Sequence, residues 1–261
     1  MSTTTLTAPT PADTAGVHAR PGLGRLVAVE LRKMIDTRAG FWLQVAIVAI
    51  TALVVTVRLL VGDAAEHSFA SVLTVGVLPA GVLLPVTGIL LVTSEWSQRT
   101  GIITFALVPV RSRVIGAKLV ASLLLVVAMH AISVGIIAAG VLVASPGVDG
   151  SWLDVTTLIA QSAVYLIAPM SVGVALGMIL LAPAPAIVAL FALPTAWGAL
   201  MSLAFFVDIA PWLETSRALD PMLQEVMSTT QWAHAGTALA LWMLLPLLIG
   251  TWRITRREVT A

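Results

Sequence analysis

The sequence predicts an all-α membrane protein with six transmembrane helices, and three observations carry that prediction. Of its 261 residues, 59% are hydrophobic and 10% are charged, with a mean hydropathy of +1.01; an average soluble domain is about a quarter charged. Six apolar stretches are each long enough to cross ~30 Å of hydrocarbon as a helix. Lysine and arginine gather on one side of those stretches. Spans and short loops consume most of the chain and leave no room in it for a soluble catalytic domain.

Residues Met1 to Gly22 are rich in Thr, Ala and Pro. They lack the apolar core of a signal peptide and predict a disordered cytosolic tail over 1–22. Leu23, Leu26, Val27, Leu31, Met34 and Ile35 then recur at helical spacing, with Arg25, Arg32, Lys33 and Asp36 opposite them. That pattern predicts an amphipathic helix lying along the inner leaflet. Anionic lipid alone would hold it there, at about 1 kcal/mol per basic residue near the surface.

The spans are predicted at Phe41 to Val61, Ala70 to Val92, Leu119 to Ala144, Thr156 to Leu181, Ile187 to Val207 and Trp232 to Thr251. Only Ala182-Pro183-Ala184-Pro185-Ala186 separates the fourth from the fifth, and its prolines favour an extended turn; a re-entrant pair is the alternative. Residues 23–252 form one membrane domain, and 253–261 form a basic cytosolic tail.

Loop charge sets the orientation. Arg20, Arg25, Arg32, Lys33, Arg38, Arg99, Arg111, Arg113, Lys118, Arg253, Arg256 and Arg257 fall on one side, leaving Arg58 and Arg217 as exceptions. Asp63, Glu66, Asp149, Asp154, Asp208, Glu214, Asp220 and Glu225 fall on the other. Both termini are therefore expected in the cytoplasm. Trp42 and Trp252 at the inner boundary, and Trp152 and Trp232 at the outer one, fit interfacial anchoring. In the long outer loop from Asp208 to Gln231, Pro211-Trp212-Leu213 and Pro221-Met222-Leu223 predict short helices that form a lid or an exit gate.

After the second span, Ser94 reads as an N-cap and Glu95 as a first-turn carboxylate facing the helix dipole. Trp96, Ile103 and Leu107 fall near one side, Gln98 and Arg99 face outward, and Pro109 stops the helix. A short cytosolic helix followed by a basic turn is the result. Positive-inside bias alone would account for Arg111, Arg113 and Lys118.

The succession of Glu95, Arg99-Thr100-Gly101, Leu107-Val108-Pro109, Arg111 and Lys118 resembles the loop between the second and third spans of type-2 ABC transporter permeases, the export class. Glu30-Leu31-Arg32-Lys33 to Thr37-Arg38, before Trp42, resembles the N-terminal elbow helix of that family. Six spans with both ends inside is also its plan. The resemblance implies that the segment from Ser94 to about Leu107 is a coupling helix seated in a groove of a separate ABC ATPase. Glu95, Trp96, Arg99, Thr100 and Gly101 would be its contacts, and the elbow residues Glu30, Arg32 and Lys33 would lend a second one. It also implies a second permease copy, identical or not, with the path for an apolar or amphipathic substrate between them. ATP and magnesium would bind the partner, since no G-x-x-x-x-G-K-[ST] loop occurs here; Gly116-Ala117-Lys118 lacks the first glycine and the following hydroxyl.

Within the spans only Arg58 and His130 are ionisable. Arg58 is placed to snorkel to the outer interface. His130, near the middle of the third span, is expected to be a neutral imidazole bonded to a neighbouring Ser or backbone carbonyl, with a place on the substrate path as the alternative. Every Asp and Glu can be placed in a loop or tail, whereas ion-coupled transporters need intramembrane carboxylates. Gly173 and Gly177 form a G-x-x-x-G pair, and Ala131, Gly135 and Ala139 repeat at the same spacing, patterns that allow close helix contact. Gly76, Pro79, Gly81, Pro85 and Gly88 weaken the second span.

With no cysteine, disulfides, thiolate metal sites and cysteine nucleophiles are excluded. H-E-x-x-H and G-x-S-x-G are absent, which argues against a membrane-embedded enzyme. No nucleic-acid partner is expected. A non-transporting anchor or assembly protein is the remaining alternative to an exporter subunit at the plasma membrane.

Overall fold

The computed structural model describes residues 22–62, 67–97, 110–144, 152 and 154–256, and every regular element among them is helical. A helix α1 (Leu23–Ile35) precedes the first span, α2 (Arg38–Val61). The second span runs over Phe69–Ser97 as α3 (Phe69–Gly76) and α4 (Leu78–Ser97). The third, fourth and fifth spans are α5 (Arg111–Ala144), α6 (Val155–Leu180) and α7 (Pro183–Met201). Short helices α8 (Ala210–Leu213), α9 (Thr215–Leu219) and α10 (Pro221–Gln224) follow. The sixth span, Thr229–Arg256, comprises α11 (Thr229–Leu239), a π-helical turn over Ala240–Leu244 and α12 (Leu245–Arg256). Among the described residues, six segments are thus long and apolar enough to cross a membrane.

Several boundaries differ from the sequence reading, each for a local reason. The second span continues five residues past Val92, because nothing between Thr93 and Ser97 breaks a helix. Ser94 and Glu95 therefore lie in its last turns and do not cap a new helix. The third span begins at Arg111, and its 34 residues would measure about 50 Å, well beyond the hydrocarbon. The turn between the fourth and fifth spans shrinks to Leu181 and Ala182. Leu181 takes a left-handed conformation, φ 57°, and Pro183 opens the next helix where its missing N–H costs nothing. The fifth span stops at Met201, six residues short of Val207. The sixth stays helical to Arg256, so Arg253 belongs to the helix and not to a tail.

Close backbone packing joins the second and fourth spans. A Cβ on Gly173 would come within 2.2 Å of the Pro85 carbonyl oxygen, and one on Gly177 within 3.2 Å of that of Ile89. The other small-residue repeat behaves differently. Ala131, Gly135 and Ala139 all face outward, and nothing lies within 4 Å of a Cβ built on Gly135. Exposed apolar side chains such as Trp42, Leu53, Val61, Val143, Val188 and Leu248 cover the outside, as a lipid-facing surface requires. Trp232 and Trp152 are partly exposed as well.

One end of the bundle gathers α1, the end of the second span, the start of the third and the end of the sixth. Arg111 donates from a guanidinium nitrogen to the Ile254 carbonyl at 2.9 Å, tying the third span to the sixth. At the other end, α8 to α10 form a cap. Gln161 on the fourth span donates to the carbonyls of Met222 (3.2 Å) and Glu225 (2.7 Å) and accepts from the Met227 N–H (3.0 Å). The indole N–H groups of Trp197 and Trp242 both donate to the Leu213 carbonyl, at 3.0 and 2.9 Å. The short helices expected around Pro211 and Pro221 are present as α8 and α10.

Candidate functional site

Helix α1 buries Val27, Glu30 and Met34, a spacing of three and four residues that places all three on one face. Glu30 is thus carried into the protein on the apolar face of an amphipathic helix. The chain then turns sharply through Asp36 and Thr37. The Thr37 hydroxyl accepts from the Gly40 N–H at 3.1 Å, and a Cβ on Gly40 would fall 2.0 Å from the Met34 carbonyl oxygen. Only glycine permits so tight an elbow.

Around Glu30 four charges close into a ring. Lys33 Nζ lies 2.7 Å from Glu30 Oε1 and 2.6 Å from Glu95 Oε1. Lys118 Nζ lies 2.7 Å from Glu30 Oε2 and 3.0 Å from Glu95 Oε1. Its third contact is the Leu91 carbonyl at 3.3 Å, so all three ammonium protons have acceptors. Two carboxylates and two ammoniums alternate, and the formal charge sums to zero.

Glu30, Glu95 and Lys118 are each no more than 5% exposed, whereas the Lys33 side chain retains 32% of its surface. Desolvation on this scale is tolerated only because every charge is paired and hydrogen-bonded. Burial by itself would lower the Lys33 ammonium. The Glu95 carboxylate outweighs that effect together with hydrogen bonds and the Glu30 charge, leaving its pKa raised above the ordinary lysine value.

Three of the residues singled out by sequence meet here: Glu30, Lys33 and Glu95. The Glu95 carboxylate faces inward, and its role in the structure is to join α1 to the second and third spans. The placement of all carboxylates in loops and tails is corrected accordingly, since Glu30 and Glu95 are buried, although at the end of the bundle and not at its centre. Arg32 is exposed and Trp96 half-buried. Arg99, Thr100 and Gly101, with most of the helix expected from Ser94 to about Leu107, lie outside the described residues. Lys118, which the sequence offered as a loop cation and as the last residue of the loop resemblance, completes the ring; the Val27, Glu30, Met34 spacing is the signal that a buried partner was needed.

His130 is 6% exposed, and its Nε2 lies 3.0 Å from the Ile159 carbonyl and 3.4 Å from the Ser162 hydroxyl. It is the carbonyl- and Ser-bonded imidazole that the sequence suggested. Arg58 sits half-buried in the last turn of the first span.

A cavity of about 340 Å³ lies at the capped end, walled by the second, fourth, fifth and sixth spans and bordered by α9 and Asp220. Sequence reasoning did not find it, because it forms between helices far apart in the chain. The described residues include no group of three or more metal-ligating side chains. No protein-family model matches the chain, and no curated protein matches it in sequence.

Proposed function

We propose that this chain is the membrane-spanning permease subunit of an ATP-driven ABC exporter that moves a hydrophobic or amphipathic substrate out of the cytoplasm by alternating access. The observation that carries the proposal is the charge ring. Glu95 and Lys118 stand at the two ends of the segment whose sequence resembles a coupling loop, and they grip the amphipathic helix through Lys33 and Glu30 respectively. A displacement of residues 98–109 by a partner would therefore move α1, the second span and the third span as one body. From Glu95 to Pro85 is about 15 Å along the second span, and Pro85 is a cavity wall. Motion at the loop would reach the cavity along one continuous helix.

In this reading ATP and magnesium bind and react in a separate ABC ATPase subunit, with Trp96, Arg99, Thr100 and Gly101 among the contacts. The charge ring is the end that faces the cytoplasm, both termini lie there, and the protein resides in the plasma membrane. A second permease copy completes the path.

Affinity capture of the tagged protein from mild detergent, with the co-purifying proteins quantified, tests the proposal. A nucleotide-binding subunit in near-stoichiometric yield, with ATP hydrolysis in the eluate, is the expected result. Recovery of the protein alone, or with unrelated membrane proteins, would overturn it.

A further inference from the structure

The cavity is bounded by the four spans that contain proline within their length, and by neither of the two that lack it. Pro85, Pro169 and Pro194 interrupt the second, fourth and fifth spans, and each lines the cavity. A proline in a helix cannot donate to the carbonyl four residues back. Those carbonyls belong to Gly81, Tyr165 and Leu190, and all three residues line the cavity too. In the sixth span Pro246 lies two residues beyond the π-helical turn, and Trp242, four residues before it, lines the remaining wall. The first and third spans contain no proline and contribute nothing to the lining.

The side chains point to the same chemistry. Tyr165, Phe191 and Trp242 present aromatic rings, whose faces attract cations. Asp220, from the cap, supplies a carboxylate that takes part in no hydrogen bond or ion pair among the described residues. Among the described residues no Lys, Arg or His lines the cavity. The Trp242 N–H is already engaged by the Leu213 carbonyl, and the Thr195 hydroxyl donates to Phe191, so two of the donors at hand are spent. Thr215, Ser216 and the Tyr165 hydroxyl are the other polar groups, and the rest of the lining is apolar. Asp220 is exposed overall, yet partial burial holds its carboxyl above the ordinary carboxylate value.

We propose that this cavity binds a lipophilic organic cation, its charge held by Asp220 and the aromatic faces, and its apolar body packed among the four spans. As an assignment of cargo this rests on the exporter reading. As a binding site it is testable on the purified chain alone.

The test measures equilibrium binding of radiolabelled tetraphenylphosphonium, and of its near-isosteric anion tetraphenylborate, to the full chain in phosphatidylcholine nanodiscs, against empty discs. The wild type is expected to bind the phosphonium saturably and to show no saturable binding of the borate. Asp220→Asn should weaken phosphonium binding at least tenfold, Asp220→Glu should retain most of it, and Asp208→Asn, outside the cavity, should leave it unchanged. Monodisperse elution of each variant establishes that it is folded. Absence of saturable phosphonium binding, equal binding of the borate, or an Asp220→Asn variant with wild-type affinity would each overturn the proposal. Failure here with an ATPase still captured leaves the exporter reading intact; phosphonium binding without any captured ATPase removes the exporter reading alone.

Discussion

Lys118 and Glu30 stand 88 positions apart in the sequence, and their side chains meet at 2.7 Å in a site almost closed to water. The pair fastens the third span to a helix that precedes the first. Through Glu95 the same ammonium holds the second span at 3.0 Å. Removing Lys118 leaves two buried carboxylates with one half-exposed lysine between them.

Lys118→Met should therefore destabilise the protein by roughly 3–5 kcal/mol, the usual cost of orphaning a buried charge. Lys33→Met, at the more exposed corner, should cost about 1 kcal/mol or less. The double variant Glu30→Gln with Lys118→Met should cost clearly less than the sum of the two single changes, because the residues share one network. Thermal unfolding in detergent measures all three.

Alkaline pH should loosen the Lys33 corner selectively. The folded pKa of Lys33 is raised above its unfolded value, with Glu95, Glu30 and Lys118 as the charged groups around it. Its stabilisation is fully present below the unfolded pKa of about 10.4 and is lost as pH climbs through the folded one. The difference in Tm between wild type and Lys33→Met should be constant from pH 7 to 9 and shrink above pH 10.5 or so.

Gly173→Ala and Gly135→Ala should part company although both replace a glycine within a span. At Gly173 the added methyl meets the Pro85 backbone at 2.2 Å, which forces the second and fourth spans apart at about 1–3 kcal/mol or more. At Gly135 the space is open, and better helix propensity makes the change neutral or stabilising by up to ~1 kcal/mol. Unfolding midpoints of the two variants, measured side by side, check this.

His130→Phe should be well tolerated. The Ile159 carbonyl keeps the Ser162 hydroxyl as a donor at 3.0 Å after the imidazole is gone, so the loss is on the order of 1 kcal/mol. A transport assay on the variant should match wild type, and a selective loss of transport would place His130 on the substrate path.

What the sequence made legible follows from the physics of each feature. Spans declare themselves by length and apolarity, so Phe41 to Val61 and Thr156 to Leu181 lie within a few residues of α2 and α6. Periodicity likewise marked α1. Its buried face was harder to see, because Glu30 looks like any surface acid until Lys118 is known to be opposite, and that pairing spans 88 positions. The end of the second span was misplaced because a Ser-Glu pair has the composition of a helix start, while the actual helix runs on and buries Glu95. Pro85, Pro169, Pro194 and Pro246 were visible as residues, yet their convergence on one cavity is a tertiary property that no local pattern encodes.

The most direct measurement is ATP hydrolysis by the detergent-captured complex, comparing wild type with Arg99→Ala in the segment between the second and third spans. If that segment couples the chain to an ATPase, the wild-type complex will hydrolyse ATP. Arg99→Ala will then lower the rate several-fold while the membrane subunit keeps its wild-type unfolding midpoint. A wild-type preparation with no associated hydrolysis, or an Arg99→Ala complex indistinguishable from it in rate and partner yield, would contradict the coupling role.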